Sequence, residues 1–172
     1  MQLTSVLSLL AASSVVVAAP TPDQIFARAS TSPVSCGPAA NQRAWPLQSV
    51  QDAFDALQNF GNVPANQRPK AGTRSYPQQY GNNQGVPTDA DVVKALDAIP
   101  ECKTAQSGYK FFEFPITDPV FSGGDQGSQG PDRVIAIAQN PGQGGTRSYT
   151  YCLAITHRGI NGGGFQPCTS SP

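Results

Sequence analysis

The chain has 172 residues, no formal net charge at pH 7 and only 13% charged residues. A bulk basic field that would collect nucleic acid is thereby excluded, so any RNA contact has to come from a local site. With 17 glycines and 16 prolines, the composition argues against a helical bundle and for a loop-rich, strand-based domain.

Residues 1–19, "MQLTSVLSLLAASSVVVAA", are apolar but too short and too rich in small residues to span a bilayer. They end in the small-residue pattern that signal peptidase accepts, which predicts a secretory signal peptide cleaved near Ala19. The run carries no Lys or Arg at its start. Residues 20–29 are polar, carry Arg28, and read as a short pro-segment. Residues 30–172 then form a single domain with no membrane anchor, expected to be secreted and monomeric. It holds Cys36, Cys102, Cys152 and Cys168, and an even count in a secreted chain predicts two disulfides. The count alone leaves three pairings open. No C-x-x-C pair occurs and the chain has one histidine, so neither a metal nor another cofactor is expected.

The clearest helix is 46–61, "PLQSVQDAFDALQNFG", where Leu47, Val50, Phe54 and Leu57 make one apolar stripe. Pro46 suits its first turn and Gly61 its C-terminal cap. Residues 63–73 read as loop. Residues 88–102 read as a second, short helix, with Thr88 and Asp91 as a capping box and Pro100 as the stop. Three strands follow. In 108–116, Phe112, Phe114 and Ile116 alternate against Phe111, Glu113 and Pro115. In 131–139, Val134, Ala136 and Ala138 oppose Arg133, Ile135 and Ile137. Residues 148–156, "SYTYCLAIT", make the third. The loop 122–130, "SGGDQGSQG", offers nothing for a core. The economical architecture is α+β, one main helix packed on a twisted antiparallel sheet.

Three polar residues interrupt these apolar strands: Glu113 in "FFEFPI", Arg133 in "PDRVI" and His157 in "AITHRG". If the strands are neighbours, a carboxylate, a guanidinium and an imidazole share one face. Such a set suits phosphoryl chemistry, in which a base and an acid act on opposite sides of a phosphate and a fixed cation stabilises its charge.

The motifs "RSYPQQYGNNQG", "FFEFPI", "SGGDQGSQGPDRVI", "ITHRG" and "GFQPC", in this order and after the helix at 47–60, resemble those of the small secreted fungal guanyl-specific ribonucleases of the T-one/N-one type. Ribotoxins belong to the same superfamily. The resemblance covers residues 73–85 and 109–168. It implies the microbial ribonuclease fold and the disulfides Cys36–Cys168 and Cys102–Cys152. It also implies catalytic roles: Glu113 as general base on the ribose 2′-hydroxyl, His157 as general acid on the leaving 5′-oxygen, and Arg133 as stabiliser of the five-coordinate phosphorus. Tyr76 is implied to hydrogen-bond the phosphate and Phe165 to form an apolar wall beside it. The product would be a 2′,3′-cyclic phosphate, formed without a metal.

The chain departs from that pattern at two places. Gln78 stands where the family's "YPH" has a second catalytic histidine, and an amide carries no proton at neutral pH. In "YGNNQG", Tyr80, Asn82 and Gly85 match the guanine-reading loop, but Asn83 replaces its stacking tyrosine and Gln84 its glutamate. Losing an aromatic platform costs about 1–3 kcal/mol per base. Residues 86–107 are longer than in the simplest relatives and adjoin this loop. Two functions follow. The first is an endoribonuclease, weakened or respecified, that binds single-stranded RNA. The alternative is a catalytically inactive secreted effector or binding protein, a pseudoenzyme acting on RNA or a protein of a host. The retained set of Glu113, Arg133 and His157 favours the first.

Overall fold

A computed structural model describes residues 33–82, 85–139, 145–160 and 162–170. The signal peptide and pro-segment expected over 1–29 lie outside the described residues, as do Asn83 and Gln84. The apolar stripe becomes helix α1, Leu47–Gly61, which buries Val50, Ala53, Phe54 and Leu57. Both expected end signals act differently from the prediction. Pro46 is not in the first turn but is the extended N-cap residue, where its missing N–H costs nothing. Gly61 ends the helix from inside, and a Cβ there would collide with the Tyr149 hydroxyl oxygen. Close approach, not a left-handed cap, requires this glycine.

Helix α1 packs on a five-stranded antiparallel sheet built from β5 (Gln78–Gln79), β6 (Tyr109–Pro115), β7 (Asp132–Gln139), β8 (Tyr149–Thr156) and β9 (Gln166–Pro167), adjacent in that order. The period-two alternation assigns the faces. Phe112, Phe114, Val134, Ala136 and Ala154 join Val50, Phe54 and Leu57 in the core under α1. Two smaller sheets flank this layer. One pairs β1 (Val34–Cys36) with β2 (Arg43–Trp45) and β10 (Thr169–Ser170). The other pairs β3 (Lys70–Ala71) with β4 (Arg74–Ser75).

The opposite face of the main sheet is apolar at one end as well. Helix α2, Ala90–Asp97, places Val92 and Leu96 against Phe111, Ile135, Ile137 and Ile155. The anticipated capping box of Thr88 and Asp91 does not form. Asp89 is the N-cap residue and makes no side-chain cap, because its carboxylate accepts the Tyr80 hydroxyl at 2.9 Å instead. The helix ends at Asp97, and Pro100 opens a separate 3-10 turn through Cys102.

Cys36 pairs with Cys168 and Cys102 with Cys152. The first bridge closes a separation of 132 residues and ties β1 to the strand end beside β10. On chain-entropy grounds a loop this long stabilises by about 4–5 kcal/mol. The second pins the segment after α2 to β8, at the bulge where Leu153 pairs with Ile135 but Tyr151 with Ala136, which leaves Cys152 as the extra residue. Among the described residues no helix is long and apolar enough to cross a membrane.

Candidate active site

Register brings the polar residues together. Gln78 lies opposite Glu113 across β5 and β6, and Glu113 lies opposite Ile135. Arg133 lies opposite Pro115 on one side and Ile155 on the other. His157 follows Ile155 by two residues, just beyond the end of β8. The four side chains therefore share the face that carries α2, at its uncovered end. They line one open cleft of about 310 Å³, together with Arg74, Gln79, Tyr80, Asp89 and Phe165.

Glu113 is 3% exposed. The Gln78 side-chain amide donates a short hydrogen bond to its Oε1, and Arg133 Nε stands 3.9 Å from the same oxygen. Burial raises the Glu113 pKa above the ordinary carboxylate value, while Arg133, the Gln78 bond and Arg74 oppose the rise. The result is a carboxyl that is a better proton acceptor than an exposed glutamate once ionised.

Arg133 is 2% exposed and rigidly held. Its Nη1 donates to the carbonyls of Gln129, Gly130 and Asp132 at 3.0, 2.8 and 2.8 Å. The loop 122–130, which has no core of its own, thus serves as the socket of this guanidinium. The guanidinium carbon lies 5.6 Å from the centroid of the Tyr76 ring. Tyr76 is fully buried against Phe114 and Phe121 and does not line the cleft. Its hydroxyl and Arg133 Nε are both buried with no hydrogen-bond partner among the described residues. Orphaned buried donors are costly, and of the two only Arg133 Nε belongs to a residue that lines the cleft, where an anion would satisfy it.

His157 is half-buried and donates from Nδ1 to the Gly164 carbonyl at 2.6 Å. A carbonyl can only accept, so Nδ1 keeps its proton and Nε2 is the nitrogen that titrates. Phe165 packs against the imidazole, with centroids 3.5 Å apart and the rings tilted by 34°. Burial lowers the His157 pKa; the Gly164 bond raises it, Arg133 lowers it, Asp89 raises it, and Arg74 lowers it.

Also along the cleft, the Tyr80 ring is 4% exposed and meets Phe165 edge to face at 5.5 Å. Its hydroxyl pKa is raised, mainly by burial and by the bond to Asp89. Asn82 does not line the cleft: its Oδ1 accepts the Val86 N–H at 3.1 Å and closes the turn that follows Tyr80. Sequence reasoning missed Arg74, Gln79 and Asp89. Arg74 stands two residues before Tyr76 within a motif already singled out, which was an available signal. Asp89 had none, since it looks like an ordinary helix-start residue.

No cluster of three or more His, Cys, Asp or Glu side chains suited to a metal occurs among the described residues. The sequence model of the ribonuclease family matches residues 34–169, and the chain belongs to that family. No curated protein and no solved structure matches it.

Proposed function

We propose that this ribonuclease-family chain is a secreted endoribonuclease that cleaves single-stranded RNA by transesterification to a 2′,3′-cyclic phosphate. The observation that carries the reading is the convergence of Glu113, Arg133 and His157 in one cleft on one sheet face. Glu113 takes the proton from the ribose 2′-hydroxyl, and the freed oxygen attacks the adjacent phosphorus. His157 Nε2 gives a proton to the departing 5′-oxygen. Arg133 faces the charge that develops on the five-coordinate phosphorus, from a position fixed before the reaction. The orphaned Arg133 Nε supplies a donor for the phosphate, and Phe165 supports the imidazole.

Gln78 holds Glu113 in place but brings no proton and no charge, so the enzyme is slower than one with an imidazole there. Acid–base groups contribute about 10²–10⁴-fold each, which bounds the loss. Guanine selectivity is relaxed. The Tyr80 ring is packed into the protein and its hydroxyl is spent on Asp89, so it gives a base little surface to stack on. The test is to incubate the purified protein with RNA beside a His157→Ala control and to identify the product termini. Cyclic phosphate ends that require His157 are expected. Equal product with both proteins, or none with either, would sink the reading and leave the inactive binding protein in its place.

A further inference from the structure

We infer that Arg74 is a second cationic contact to the reacting phosphate, meeting it from the solvent side of the cleft. The inference rests on the reading that RNA lies with a phosphate between Glu113 and His157.

The two guanidiniums of the cleft are committed very differently. Arg133 is buried, and one of its nitrogens is shared among three backbone carbonyls. Such an arginine cannot follow a substrate. Arg74 lies on β4, which pairs only with β3, and its side chain is exposed. It makes no hydrogen bond or ion pair with any described residue, yet it lines the same cleft as Gln78, Glu113 and His157. Its charge reaches both of the proton-transfer groups, favouring ionised Glu113 and disfavouring protonated His157. Arg74 thus lines the cleft with both groups and is bound to neither.

Charge balance gives it work there. A phosphodiester carries one negative charge, and the five-coordinate state carries another. Arg133 answers one of these. Gln78 answers none, since its amide is neutral and its donor is spent on Glu113. Besides the protonated His157, which gives its charge away with the proton it transfers, Arg74 is the cation left along the cleft wall among the described residues, and its planar fork of donors matches two phosphate oxygens at once.

The experiment uses a dinucleoside monophosphate, whose single phosphate is the scissile one, beside a long single-stranded RNA. Arg74→Ala is expected to lower kcat/KM on the dinucleoside by about 10- to 100-fold, the worth of one charged hydrogen bond, with part of the loss in kcat. Arg74→Lys should recover part of it, and urea unfolding should be unchanged. A loss confined to the long RNA would overturn the inference, because the guanidinium would then serve a flanking phosphate. A second measurement does not depend on turnover. Inorganic phosphate is titrated while the His157 imidazole is followed by NMR. Arg74→Ala should weaken phosphate binding by a similar factor and raise the His157 pKa. Unchanged affinity overturns the inference even if the wild-type protein cuts nothing, whereas weakened affinity in an inactive protein sinks only the catalytic reading.

Discussion

Asp132 carries more of the stability than its place in the sequence suggests, and Asp132→Ala tests this. The residue is fully buried. Its carboxylate accepts Trp45 Nε1 at 2.9 Å, Thr156 Oγ1 at 2.5 Å, and Arg158 through Nε at 3.1 Å and Nη2 at 3.0 Å. Truncation leaves two neutral donors without acceptors, on Trp45 and Thr156, which are 3% and 0% exposed. Each orphaned donor costs about 1–3 kcal/mol. It also leaves Arg158 unpaired; breaking a buried pair costs about 3–5 kcal/mol, but the Arg158 side chain is 21% exposed and regains part of its hydration. These costs share one carboxylate and do not add. A net loss of about 4 kcal/mol is expected. With an m-value of about 2 kcal/mol/M, the urea midpoint falls by about 2 M. Trp45 is the sole tryptophan and reports the transition by fluorescence. Arg133 Nη1 and the Ile116 N–H bond the Asp132 backbone carbonyl, which the substitution leaves in place. Activity per folded molecule should therefore fall less than stability does. A loss below about 1 kcal/mol would refute the view that this carboxylate organises the ends of β7 and β8.

Two further outcomes concern the chemistry. Gln78→His should raise the initial rate on a defined single-stranded RNA by about 10-fold or more, with the largest gain between mildly acidic and neutral pH, and adding His157→Ala should erase the gain. No increase in a folded variant would show that more than this position limits the site. The pH profile of kcat/KM should be a narrow bell. Glu113 must be ionised, and its pKa is raised by burial, so the acid limb lies above the ordinary carboxylate value. His157 must be protonated, and its pKa is lowered by burial, so the alkaline limb lies below the ordinary imidazole value of about 6.5. A plateau extending well above neutral pH would contradict this assignment of acid and base.

The parts of the fold that obey a long period were legible. The stripe of α1 needed four apolar residues at helical steps, and the alternation in β6 and β7 placed Glu113 and Arg133 opposite the α1 core before any pairing was known. Strands of two or three residues, such as β4, β5 and β9, have no period to read; tertiary pairing creates them. Burial of polar groups was equally hidden. Asp132 and Arg133 are neighbours in "PDRVI", and only the guanidinium drew attention, because the partners of Asp132 come from positions as distant as Trp45 and Arg158. The loop 122–130 read as inert for the same reason. Its contribution is two backbone carbonyls aimed at Arg133, and backbone atoms leave no mark in a sequence.

The two parts of the cleft have different physical origins, and under the proposed function this bears on how RNA would be selected. The catalytic half stands on the central strands of the sheet, where Glu113 and Arg133 are held on both sides by paired neighbours. The half that holds Tyr80 depends on the segment around α2. That segment is tied at three points: Asp89 holds the Tyr80 hydroxyl, Val92 and Leu96 are fully buried, and Cys102 is bridged to β8. A wall tied this way belongs to the core and does not close over a ligand as a free loop can. Under the proposed function, a base entering here would meet Tyr80, Asp89 and Phe165 among the described lining residues. On that reading, fit to these tied residues would contribute to discrimination among bases. Changes within α2 should then alter base preference, while changes on the β6 and β7 side alter rate.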